Sequence, residues 1–118
     1  MARILAIEDE QELIKAYALC FPADEVVEAD ANSSESLRGA IETADIVISD
    51  FYMPVLQFQQ IRELCERLCK PLVLVTGEIT PIYRHQTTKP FTRQQLRQTA
   101  QRAVTEMEER KHSLKAAA

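Results

Sequence analysis

Short unbroken apolar runs alternate with stretches of helical period along most of this chain, and that alternation leaves few folds open. Arg3-Ile4-Leu5-Ala6-Ile7, Glu25-Val26-Val27-Glu28, Ile46-Val47-Ile48 and Leu72-Val73-Leu74-Val75 read as strands. Continuous Val/Ile/Leu runs belong to strands covered on both faces. Between them, Leu13, Ile14, Tyr17, Ala18 and Phe21 recur at helical spacing until Pro22 stops them. Asn32-Ser33-Ser34-Glu35 opens a second helix, with Leu37, Ala40, Ile41 and Ala44 on one face. Phe58, Ile61, Leu64, Cys65 and Leu68 mark a third. Thr92-Arg93-Gln94-Gln95 is a capping box for a last helix that turns Leu96, Ala100, Ala103, Val104 and Met107 inward. Strands alternating with helices make βαβ units. The expected architecture is a doubly wound α/β sandwich: a parallel sheet with helices on both faces.

One crossover departs from the pattern. A parallel crossover needs about ten residues or more, usually with a helix. The segment GEITPIYR, Gly77 to Arg84, is shorter than that before a fifth strand expected around His85 to Thr88. It has room for at most one helical turn, capped by Thr80 with Pro81 first, or for an extended bypass. The two glycines, Gly39 and Gly77, form no phosphate-cradling loop.

At 118 residues the chain is one domain's worth, long enough to bury a core without staples. We place the domain at 1–112 and read 113–118 as a tail or the start of a linker. A net charge of −4 excludes gripping nucleic acid or an anionic membrane by bulk charge. No apolar run could span a bilayer, and the acids in MARILAIEDE do not suit a secretory signal, so a cytoplasmic location is expected. Cys20, Cys65 and Cys69 are odd in number and read as free thiols. Cys65 and Cys69 stand four apart on a helix with no third ligand nearby, so they read as packing groups.

The segment IVISDFYMP ends a greasy run with a single acid, Asp50. In a doubly wound sheet, ligands bind outside the carboxyl ends of the strands. Those ends carry Glu8 and Asp9, then Asp50, then Thr76, and finally Lys89 followed by Pro90. Each alone has a bland reading as a cap or a surface residue; on one sheet edge they form a set. Three carboxylates so placed repel, and a hard divalent cation such as Mg²⁺ would relieve them. Lys89 offers a compact positive charge and Thr76 a hydrogen-bond donor for phosphoryl oxygens. Asp50 is left as a nucleophile able to form an aspartyl-phosphate.

In this ordered set the chain resembles the receiver domain of the response regulators of two-component, chiefly bacterial, signalling. The resemblance runs from ILAIEDE through VISDFYMP and VLVTGE to TKPF and covers essentially the whole chain. It implies a five-stranded flavodoxin-like fold whose fourth helix is here truncated. It implies that Asp50 is the phosphoacceptor, that Asp9 binds Mg²⁺ directly and Glu8 through water, and that the backbone carbonyl of Tyr52 is a further metal ligand. Thr76 matches the switch hydroxyl and Lys89 the phosphate-pairing lysine, with Pro90 at a peptide often cis. The donor would be a histidine kinase or a phosphotransfer protein, and the recipient of the signal an output domain or a partner protein. Such a domain catalyses at most its own phosphorylation and dephosphorylation.

Three departures from the family pattern stand out. Gln57 and Phe58 replace the usual acid and glycine after Met-Pro. The fourth helix is largely missing. Gln86 stands where the family has its switch aromatic, with Tyr83 the nearest aromatic residue. The eroded crossover leaves open an alternative, a pseudo-receiver that binds partners without phosphate. An aspartyl phosphohydrolase would carry a second acid two residues after the nucleophile, where this chain has Tyr52.

Overall fold

A computed structural model describes residues 1–29, 33–52 and 56–117. Asn32 of the second helix start, and Met53-Pro54 of the D-x-x-M-P signature, lie outside the described residues. Strands β1 (Arg3–Ile7), β2 (Glu25–Glu28), β3 (Ile46–Ser49), β4 (Leu72–Thr76) and β5 (Gln86–Thr88) form one sheet in the order β2-β1-β3-β4-β5. Every pairing is parallel. The helices are α1 (Gln11–Cys20), α2 (Ser34–Thr43), α3 (Phe58–Arg67) and α4 (Arg93–Ala117).

The unbroken apolar runs are explained by two cores, one on each sheet face. Leu5, Ile7, Val47, Leu72 and Leu74 pack against Leu37 and Ile41 of α2 and Phe58, Ile61 and Cys65 of α3. The alternate residues Ile4, Ala6, Ile48, Val73 and Val75 pack against Tyr17 and Cys20 of α1 and Leu96, Ala100 and Ala103 of α4. Ile61 and Leu74 are fully buried, and truncating either to alanine would cost about 2–5 kcal/mol through lost contacts and the cavity left behind.

The helix ends follow local chemistry. Ser33 caps α2 by accepting from the Ser36 N–H at 3.1 Å. Gln57 and Gln60 form a reciprocal capping box at the start of α3. The two residues that depart from the family pattern therefore have structural work: Gln57 caps the helix and Phe58, 4% exposed, enters the core. At the other end of α3, Cys69 takes φ 54°, a left-handed conformation that closes the helix, with Lys70 N–H donating to the Cys65 carbonyl at 2.8 Å. Thr92 and Gln95 make the capping box expected for α4. That helix runs unbroken to Ala117.

Between β4 and β5 the chain makes bends and no helix, so the crossover is the extended bypass. Gln86 organises it. Its Oε1 accepts from the N–H groups of Ile82 at 2.8 Å and Tyr83 at 3.2 Å. Its Nε2 donates to the carbonyls of Glu78 and Thr80, each at 3.2 Å. One side chain thus supplies partners that a helix would have supplied from its own backbone.

Candidate functional site

The strand order reverses direction at β1 and β3, and in open α/β sheets ligands sit at the carboxyl ends beside such a switch point. Glu8 and Asp9 follow β1, and Asp50 follows β3. Their backbones are locked together there, since Asp50 N–H donates to the Ile7 carbonyl at 3.1 Å. Carboxylate oxygens of Glu8, Asp9 and Asp50 all lie within 4.8 Å of one another. Lys89 N–H donates to the Thr76 carbonyl at 2.8 Å, which fixes the lysine at the end of the adjacent strand pair. Its Nζ stands 3.6 Å from Asp50 Oδ2 and 3.9 Å from Glu8 Oε1. The Lys89–Pro90 peptide is cis. The side chains of Glu8, Asp9, Asp50 and Lys89 therefore gather at one sheet edge, where Thr76 ends the neighbouring strand β4.

Their environments differ. Asp9 is exposed and open to a ligand, whereas the Glu8 side chain is fully excluded from solvent. Burial raises the Glu8 pKa above its ordinary value, opposed by the Tyr17 hydroxyl and the Lys89 charge and reinforced by Asp50. Asp50 Oδ1 accepts the Phe51 N–H at 2.7 Å, leaving Oδ2 toward Lys89. Thr76 is 1% exposed; its Oγ1 accepts from the Glu78 N–H at 3.2 Å, so its own hydroxyl proton can turn elsewhere. Tyr52 is 66% exposed, and its hydroxyl donates across the mouth of the site to Glu78 Oε1 at 3.2 Å.

Three hard oxygen donors beside one ammonium suit Mg²⁺ in chemistry and in charge. Glu8, Asp9 and Asp50 would hold it, together with the Tyr52 carbonyl that the resemblance implies.

The helical spacing marks Tyr17 only as a core residue of α1, but its hydroxyl donates to Glu8 Oε1 at 2.9 Å. A phenol on an otherwise apolar helix face was the available signal, since a buried tyrosine hydroxyl needs a partner. Glu106 is engaged from two sides: Arg84 Nε donates to it at 2.6 Å and His85 Nε2 lies 2.9 Å away. Tyr83, the aromatic nearest the expected switch position, is 8% exposed and packs edge-on against Phe58, with the Arg62 and Arg84 guanidinium groups each 5.1 Å from its ring.

This sheet order matches the receiver fold, and an acid triad and a lysine stand at its switch point. The solved structures it resembles include response regulator receiver domains. The chemotaxis protein CheY4 of Vibrio cholerae is 26% identical, with a TM-score of 0.69, and the match covers 87% of this chain and 98% of that one. A response regulator receiver domain protein from Clostridium thermocellum is 24% identical, with a TM-score of 0.67 over 92% and 98% of the two chains. The receiver domain of the hybrid histidine kinase CckA is 25% identical, with a TM-score of 0.65 over 86% and 98%. No protein-family model matches the chain, and no curated protein does. No helix among the described residues is long and apolar enough to cross a membrane.

Proposed function

We propose that this domain is a phosphorylatable receiver module that takes a phosphoryl group from a phosphohistidine onto Asp50. The carrying observation is the placement of Lys89 Nζ 3.6 Å from Asp50 Oδ2, beside the carboxylates of Glu8 and Asp9. An Asp50 oxygen attacks phosphorus, the P–N bond of the donor breaks, and the imidazole leaves with the electron pair and is protonated from solvent. Bound Mg²⁺ would neutralise charge on the phosphoryl oxygens. Lys89 offsets the negative charge that accumulates at the acceptor, and the Thr76 hydroxyl is free to donate to a phosphoryl oxygen. The proposed donor is a histidine kinase or phosphotransfer protein, and the proposed readout is a partner protein or output domain that senses the phosphorylated state.

Borohydride reduces an aspartyl-phosphate to an alcohol, so the site can be read by peptide mapping. After incubation with acetyl phosphate and Mg²⁺, residue 50 should be recovered as homoserine. Unmodified Asp50 under those conditions, and after trial with histidine kinases, would favour a pseudo-receiver that binds partners without phosphate.

A further inference from the structure

We infer that Tyr17 is a positioning residue that sets where Lys89 sits between Glu8 and Asp50. The inference deepens the phosphoacceptor reading and rests on it. The Tyr17 side chain is fully buried, and its ring stacks on Phe91 with centroids 6.0 Å apart. Its hydroxyl donates at 2.9 Å to Glu8 Oε1, the same oxygen that Lys89 Nζ approaches at 3.9 Å. Two donors thus compete for one oxygen, and the phenol holds it.

The consequence follows from solvation. Glu8 is sealed from water, so its charge must be met by protein donors. With Tyr17 in place, Oε1 is already served and the ammonium gains little by closing on it. Lys89 therefore stays 3.6 Å from Asp50 Oδ2, where an incoming phosphoryl group would meet it. Remove the hydroxyl and Oε1 is left buried without a short donor. The Lys89 main chain is pinned to Thr76, but its side chain is flexible, so the ammonium closes on Glu8 and withdraws from Asp50. Tyr17→Phe leaves the ring to stack on Phe91, so the change is confined to the hydroxyl.

The test uses protein labelled with ¹³C at lysine Cε. The chain has only five lysines, and Lys89→Arg assigns the resonance. Tyr17→Phe should shift the Lys89 signal in metal-free protein, and adding Glu8→Gln should reverse the shift, because a neutral amide does not draw the ammonium. A general packing defect would not be reversed in this way. The same variant should take phosphate from acetyl phosphate about tenfold more slowly at saturating Mg²⁺, the worth of one charge-assisted hydrogen bond. An unmoved Lys89 signal in folded Tyr17→Phe overturns the inference. Should Tyr17→Phe not fold, Phe91→Leu, which removes the ring that Tyr17 stacks on, should move the Lys89 signal and Glu8→Gln should reverse that move; a stationary or unreversed signal overturns it too. If the wild type takes no phosphate but the Lys89 shifts behave as stated, the phosphoacceptor reading fails while the hold of Tyr17 on Lys89 stands.

Discussion

The Lys89 ammonium lies 3.6 Å from Asp50 Oδ2, near enough to offset its charge and too far to hydrogen-bond it. Such a gap suits a group that waits for oxygen atoms not yet present. Lys89→Ala should slow phosphoryl uptake from acetyl phosphate by about tenfold or more, and extra Mg²⁺ should not restore it, since the metal ligands remain. Rates measured across a Mg²⁺ titration check this; full rescue at high Mg²⁺ would reduce Lys89 to a general counter-charge.

His85 gives the fold an acid-side weakness. Its Nε2 meets Glu106 at 2.9 Å, while its buried Nδ1 has no partner among the described residues. The neutral ring donating from Nε2 leaves only a lone pair there; protonation would strand an N–H. Burial lowers the His85 pKa below its ordinary 6.5, opposed by Glu106 and reinforced by Arg84 and Arg102. The unfolded chain then takes up the proton first, so stability falls as pH drops below that value. Burial alone would raise the pKa of Glu106, but the hydrogen bond and charge of Arg84, followed by His85, hold it below its ordinary 4.5. The contribution of Glu106 therefore persists until lower pH. Urea midpoints between about pH 7 and about pH 5.5 should fall in the wild type and fall less in His85→Gln. Equal slopes would contradict the assignment.

Gln86 holds the bypass with four hydrogen bonds to the backbone of Glu78, Thr80, Ile82 and Tyr83. Gln86→Ala should cost about 2 kcal/mol, less than four full bonds because the loop can admit water. It should also open the 77–85 segment to proteolysis. Denaturation and limited proteolysis check both, and a neutral variant would mean that the loop is held by packing alone.

Tyr52 and Glu78 bridge the mouth of the site at 3.2 Å. Tyr52→Asn should shorten the lifetime of the aspartyl-phosphate severalfold by opening it to water. An unchanged or longer lifetime, followed by loss of the phosphoryl mass, would show that the ring does not shield it.

Most of the sheet was legible because its signal is local: Ile4 to Ile7 and Leu72 to Val75 are apolar on both faces, and two cores cover them. Asp50, Glu8 and Asp9 were legible because strand ends in such a sheet converge. The bypass was only half legible. Its shortness showed in the spacing, but the role of Gln86 depends on backbone groups that no spacing reveals. The two-sided engagement of Glu106 was hidden for a related reason, since Arg84 and His85 reach it from β5's entry across more than twenty positions. The second function of Tyr17 was masked because its ring satisfied the helical pattern by itself.

Phosphate uptake on Asp50, with a metal held by its neighbours, is read by intact-mass spectrometry after incubation with acetyl phosphate. One added phosphoryl group is expected in the presence of Mg²⁺, and none without the metal, in Asp50→Asn, or in Asp9→Asn at moderate Mg²⁺. An unchanged mass in the wild type with Mg²⁺, or an addition that survives Asp50→Asn, would contradict it.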